Sequence, residues 1–351
     1  MGLRRPRLPR RAGRRTNAAL LALLTAVFAT GLLAYGIGVP GPARWVAVAH
    51  GAAGLALLLL VPWKRVVVRG ARARGAGSLG SAGAVLAALL VVTLVAGFAQ
   101  AFVGFRAVLG VVPLQVHVGA ALLAVPFLVT HVRDHPQRPR ATDLSRRVAL
   151  RGALLGGGAL AAYAAVEGAL TLLRLPGRAR RATGSSEVGS GAPRLMPVTQ
   201  WFTDTVPADD AAGGELLVRL GDEEHRIPYA QLPADTEVRA VLDCTGGWYA
   251  EQVWRGARLD LLLAALSPGG ELRGQSVEVV SVTGYRRRLP LRDTPHLLLA
   301  TAVGGAPLSA GHGAPVRLVA PGRRGFWWVK WVTRVEVLDE PWWVQPPVPL
   351  Q

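Results

Sequence analysis

Apolar residues are distributed along this chain in two ways, and the change falls near its middle. Up to about residue 175 they gather in five stretches, Ala18–Val39, Ala43–Pro62, Leu79–Phe102, Val111–Val132 and Gly152–Leu173. Each is close to the ~20 residues that a helix needs to cross a hydrocarbon core. One charge, Glu167, interrupts the fifth stretch, which is too little to prevent it from spanning. From about residue 194 the apolar runs shorten and alternate with polar positions, the period of half-buried strands. The pattern predicts a hairpin over Leu216–Ile227 around Gly221-Asp222, strands at Val238–Leu242, Ser276–Val282, Val316–Val319 and Val329–Val337, and a short helix at Leu259–Leu266. In the last strand the two-residue period puts Val329, Trp331, Thr333, Val335 and Val337 on one face, so Lys330 is expected to point away from the apolar side.

The fold class that follows is multidomain. An all-α transmembrane bundle of five spans occupies residues 1–175, a linker 176–193, and a strand-rich α+β domain 194–345. The linker is expected because Arg180–Pro193 is rich in Gly, Ser and Arg and poor in residues that could pack.

Charge divides at the same place. The formal net charge of +18 invites a nucleic-acid reading, but residues 1–191 carry 24 basic against 4 acidic side chains and residues 192–351 carry 16 against 18. The excess belongs to the apolar half, where arginines orient spans, and no basic stripe is left on the second half to follow phosphates. The arginines from Arg4 to Arg15 place the N-terminus in the cytoplasm, together with the loop holding Lys64, Arg65, Arg69, Arg72 and Arg74 and the loop Arg133–Arg147. Five spans then send the second half to the extracytoplasmic side of the cell membrane. Arg174, Arg178, Arg180 and Arg181 run against that rule. Ser145-Arg146-Arg147-Val148-Ala149-Leu150-Arg151, just before the fifth span, is similar to a twin-arginine export signal, which would carry a folded domain across; it also reads as an ordinary pair of cytoplasmic arginines.

The chain has one cysteine, Cys244, at the end of an apolar strand running into Thr245-Gly246-Gly247-Trp248. Without an intrachain disulfide partner it is a small buried residue, a nucleophile or a soft-metal ligand. Further on stand His312-Gly313-Ala314-Pro315-Val316-Arg317 and then Val329-Lys330-Trp331. Lys330 is one of only two lysines in the chain. These segments, in this order, resemble the sulfite oxidase fold family of molybdopterin oxidoreductases, over about Ala192–Pro341.

The resemblance implies a molybdenum-molybdopterin cofactor, with Cys244 as the thiolate on molybdenum and His312, Arg317 and Lys330 holding the pterin and its phosphate. It also implies a two-electron oxygen-atom transfer on a small-molecule substrate. Sulfite-oxidising relatives add arginines and a tyrosine around an anionic substrate, in segments this shorter domain lacks. Trp248 and Tyr249, close after the cysteine, are candidates for the substrate wall or for plain packing.

The helical half adds two histidines. His50 lies ~10 Å into the second span and His117 ~8 Å into the fourth, both counted from the outer face at 1.5 Å per residue. Two imidazoles at one depth suit a six-coordinate haem iron, and histidines inside spans also serve as interhelical hydrogen-bond partners. One haem b held by His50 and His117, loosely similar to a cytochrome b subunit, would pass electrons between the molybdenum and a quinone or redox protein. His131 has Lys64 at its level on the second span and so forms no second pair. The competing expectation is a cofactor-free, membrane-tethered binding or sensory module on the same fold.

Overall fold

The computed structural model describes residues 13–37, 39–73, 81–107, 110–136, 145–201, 204–208 and 214–349. The expected basic positions Arg4–Arg11, Arg74, Arg138 and Arg140, and the start of the third span at Leu79, lie outside them. The chain divides into two compact units, with the main boundary between Ser186 and Glu187.

The first unit holds five helices: α1 (Arg14–Gly36), α2 (Pro40–Ala73), α3 (Ser81–Val103), α4 (Pro113–Asp134) and α5 (Arg146–Leu172). All five are long and apolar enough to cross a membrane. Leu32, Val91, Val95, Leu123 and Leu154 stay exposed, as lipid-facing side chains would. Small residues let the backbones close up. Ala52 and Ala56 of α2 bury against Ala159 of α5, and a Cβ at Gly51 would sit 2.5 Å from the Tyr163 ring.

Two expectations change here. The basic stretch after Pro62 is not a loop, because α2 continues through that proline to Ala73. Lys64 Nζ, on this extension, donates to Asn17 Oδ1 of α1 at 3.2 Å. Arg146 and Arg147 likewise form the first residues of α5, which begins six residues before the predicted span.

Residues 176–193 carry single 3-10 turns at Pro176–Ala179 and Pro193–Leu195 and the short strand β1 (Ser186–Glu187). What orders them is hydrogen bonding and close backbone approach, which a count of apolar residues does not register. Arg180 pairs with Glu167 of α5, and Gly177 packs so tightly on the Ala101 carbonyl that no Cβ could fit. Past the boundary, Val188 N–H donates to Tyr249 O at 2.9 Å, Gly191 N–H to Glu251 O at 2.9 Å, and the Gln252 side chain to Gly189 O at 2.6 Å.

The second unit is built on β2 (Glu215–Leu220), β3 (Glu223–Pro228), β4 (Thr236–Asp243), β5 (Trp248–Arg258), β6 (Ser276–Ser281), β7 (Arg286–Pro290), β8 (Leu298–Val303), β9 (Ala306–Pro307), β10 (Arg317–Val319) and β11 (Val332–Leu338), with helix α6 (Leu259–Leu266) following β5. Among the described residues one sheet runs β3-β2-β11-β6-β7, and the other runs β1-β5-β8-β10 with β4 also on β5 and β9 on β8. The hairpin β2–β3 turns at Gly221, whose φ of 62° suits glycine. β11 lies parallel to β2 and antiparallel to β6.

Leu216, Val218, Val277, Val279, Leu289 and Val335 bury completely on the first sheet, as do Trp254, Leu298, Leu299 and Leu318 on the second. Each such side chain contributes about 1.5–3 kcal/mol by leaving water. The last strand starts at Val332 and not at Val329. Trp331 has a φ of 50°, so the two-residue alternation does not reach Lys330, whose direction is set by a loop.

Candidate functional site

β4 delivers Cys244 to the end of its sheet, where a tight turn reverses into β5. Cys244 N–H donates to Trp248 O at 2.9 Å and Gly247 N–H to Cys244 O at 3.2 Å, with Gly247 at a φ of 95°. The same turn aims the Gly246 N–H at the cysteine sulfur, 3.3 Å away, and Thr199 Oγ1 lies 3.2 Å from that sulfur.

Behind the cysteine, Gly325 comes so close that a Cβ would stand 3.0 Å from Cys244 Cα and 3.1 Å from Asp243 O. Asp243 and Arg324 form a buried ion pair and bridge through their backbones, with each residue no more than 2% exposed.

The loop after β9 supplies the second part. His312 ends a 3-10 turn, Gly313 follows at a φ of 106°, and β10 starts at Arg317. His312 Nδ1 lies 2.8 Å from Ser309 Oγ and Nε2 3.2 Å from Met196 O. Burial, with Arg317 and Lys330 nearby, holds this imidazole below its ordinary range and keeps it neutral. Arg317 is 1% exposed, donates to His312 O at 3.0 Å, and is flanked by the rings of Trp254 (4.9 Å) and Trp328 (5.7 Å). Among the described residues its Nε has no hydrogen-bond partner. Burial lowers the guanidinium to about 10, while a charged Cys244 would raise it.

Lys330 completes the cluster. Its Nζ donates to Thr199 O at 2.8 Å and to Gly311 O at 2.7 Å, and stands 5.2 Å from the Trp331 ring. Burial first, and then Arg317, bring it down to about 7; Cys244 and Asp204 act the other way. Asp204 is itself raised by burial, against a hydrogen bond from Thr283 and the charge of Lys330.

Thus Cys244, His312, Arg317 and Lys330, spread over 86 positions of sequence, come together in one site. Thr199 ties the sulfur to the lysine. Two basic side chains lie in one cluster, and a soft donor belongs to the same cluster. That set fits an anionic group that brings a soft metal. Among the described residues no three His, Cys, Asp or Glu side chains cluster for a metal.

Trp248 is 2% exposed, and Tyr249 is partly buried with its carbonyl engaged by Val188 N–H. Thr199, Asp204, Asp243 and Arg324 were absent from the sequence reading. None belongs to a spaced motif, and only folding brings Thr199 to the sulfur.

His50 and His117 belong to the first unit. Their ring centroids are 5.8 Å apart at an interplanar angle of 78°. His50 Nδ1 is 3.0 Å from Val27 O, and His117 Nδ1 is 2.8 Å from Thr93 O. Glycines make room for both rings: a Cβ at Gly31 would stand 3.4 Å from the His50 ring, and one at Gly97 2.9 Å from the His117 ring.

The second unit is similar in sequence to known proteins. Residues 204–344 match the family of the oxidoreductase molybdopterin binding domain. Mitochondrial sulfite oxidase of Rattus norvegicus is 31% identical over 178 residues, covering 41% of this chain and 31% of that protein. An NADH nitrate reductase of Hordeum vulgare is 31% identical over 180 residues, covering 40% and 18%. The sulfane dehydrogenase SoxCD of Paracoccus pantotrophus superimposes with a TM-score of 0.35 at 23% identity, over 38% of this chain and 40% of that one. The chain spans less than a third of the length of these curated relatives. The second unit thus carries an oxidoreductase molybdopterin binding domain that is similar to the one in sulfite oxidases.

Proposed function

We propose that this chain is a membrane-anchored molybdenum-molybdopterin oxidoreductase acting on a small molecule by two-electron oxygen-atom transfer. The observation that carries the proposal is the meeting of the only cysteine with Lys330 through Thr199, in the cluster where Arg317 donates to the His312 carbonyl. Cys244 would bind the metal. Arg317 and Lys330 would hold the pterin phosphate by charge-assisted hydrogen bonds, and neutral His312, fixed by Ser309 and Met196, would orient the loop that leads into Arg317. When bound, the cofactor supplies the redox chemistry; the protein's part is position and charge. The buried rings of Trp254 and Trp328 beside Arg317 exclude water and strengthen its charge.

The membrane part of the proposal is that α1–α5 span the cell membrane, with the second unit on the extracytoplasmic side. One haem b would sit between His50 and His117, exchanging electrons with a quinone or a redox protein. Its support is that both Nδ1 atoms are engaged by backbone carbonyls, which fixes the rings and leaves each Nε2 as the metal donor.

Metal and pterin analysis of the purified full chain, with Cys244→Ser beside it, tests the function. About one molybdenum per chain, with activity lost in the variant, is the expected result. A chain that carries neither, made in a host able to supply both, would be a tethered module without a cofactor.

A further inference from the structure

The Asp243–Arg324 pair is an unusual thing to find immediately behind a metal-binding cysteine. Both residues are almost fully buried: Asp243 is 2% exposed and Arg324 1%. Their side chains form an ion pair and their backbones form a parallel bridge, so the loop after β10 is fixed to the end of β4 by two kinds of bond at one point. The next residue on each side makes the contact to the site. Cys244 follows Asp243, Gly325 follows Arg324, and the glycine packs onto the Cys244 backbone at a distance no side chain would allow. The cysteine sulfur is then aimed by Gly246 N–H and Thr199 Oγ1.

Burying two charges costs free energy that pairing only partly returns, and well-packed apolar residues would hold the strand end as firmly. A plain structural role therefore accounts poorly for the choice of charges here. What the pair does that an apolar contact would not is place a carboxylate and its counter-charge at a fixed distance from the sulfur, in a medium where charge acts strongly.

Resting on the molybdenum reading above, we infer that Asp243 and Arg324 are positioning residues that orient Cys244 and balance the charge felt by the metal on its sulfur. Arg324 cancels the field of Asp243. Without Arg324 the carboxylate favours the more oxidised, more positive metal; without Asp243 the guanidinium favours the reduced one.

The test uses the full chain from a host that makes the cofactor, and compares the parent with Arg324→Gln, Asp243→Asn, the double variant and Arg324→Lys. Molybdenum content is measured first, and the reduction potential of the metal is then followed through its paramagnetic signal. Arg324→Gln is expected to shift the oxidised-to-reduced ratio about tenfold toward oxidised, which is about 30 mV for a two-electron couple. Asp243→Asn shifts it the opposite way, while Arg324→Lys and the double variant stay near the parent. The double variant should also broaden the paramagnetic signal, because the charge is balanced but the clamp is gone.

Molybdenum-loaded single variants with the parent's potential, or both shifted in the same direction, would overturn the inference while leaving the cofactor reading intact. If the single variants fail to accumulate, the double variant decides: a signal as narrow as the parent's rejects the positioning role. A parent without molybdenum would instead remove the cofactor reading itself.

Discussion

The two units each bring together residues that are distant in sequence, and they do it by different means. In the helical unit His50 and His117 meet because regular helices carry them to one level, and the adjustment is made by glycines that leave room for the rings. In the second unit Cys244, Arg317 and Lys330 all sit at ends of strands or in loops, held by individual hydrogen bonds and by the Asp243–Arg324 pair. A site carried on helix periodicity is set by a few small residues. A site built from strand ends depends on each bond that aims it.

The comparison is broken most severely at the donors themselves. Cys244→Ser is expected to cost more than the ~10–100-fold that removing a supporting partner of a metal ligand costs, measured as turnover per chain, while absorption by a haem in the helices is unchanged. The mirror experiment is His50→Ala, which should abolish the Soret band of the proposed haem and leave molybdenum content at the parent level. If either substitution removed both cofactors, the two sites would not be the separate constructions described above.

Glycine substitutions come next. Gly325→Ala drives a Cβ against the Cys244 backbone, which cannot rotate away, and should cost about 1–3 kcal/mol of stability together with molybdenum retention. Gly97→Ala drives a Cβ against a histidine ring that can tilt. It should cost less stability and appear mainly as an altered haem spectrum. Thermal unfolding followed by each cofactor's absorption separates the two.

A further prediction is a pH dependence of stability. In the cofactor-free chain Lys330 titrates at about 7 instead of 10.5. Below pH 7 it is protonated both folded and unfolded, so the cost of burying the charge is fully present. Between 7 and 10.5 the unfolded chain holds more protons, and stability rises with pH. Lys330→Met should flatten that rise, and so should bound cofactor, whose phosphate keeps the lysine charged. Unfolding curves at pH 6, 8 and 10 measure it; a slope that survives in Lys330→Met would show that another group is responsible.

Much of this architecture was legible in the order of residues. Spans of apolar residues mark α1–α5, the hairpin β2–β3 shows its glycine turn, and α6 falls on Leu259–Leu266 as its periodicity suggests. What was hidden has physical reasons. β5 alternates correctly, but its inward positions include Gln252, 1% exposed and bonded to Gly189 O, which reads as a surface residue until its partner is seen. β7 begins with three arginines, yet Arg287 is buried with its guanidinium 4.2 Å from the Trp327 ring. β8 is nearly all apolar because both its faces are covered, so no alternation marks it.

The site shows the same division. Cys244, His312, Arg317 and Lys330 stand in motifs with fixed spacing. Thr199 and the Asp243–Arg324 pair act only through contacts that the fold creates, and Lys330 points where it does because Trp331 ends the alternation that the sequence suggested.

The most direct test of the whole account is the molybdenum and pterin content of the full chain, purified from a host that makes the cofactor, beside Cys244→Ser. The account predicts about one of each per chain in the parent and loss of the metal's sulfur ligand in the variant, read from X-ray absorption at the molybdenum edge. A parent chain with no molybdenum, or a molybdenum whose sulfur coordination is the same in both proteins, would contradict it.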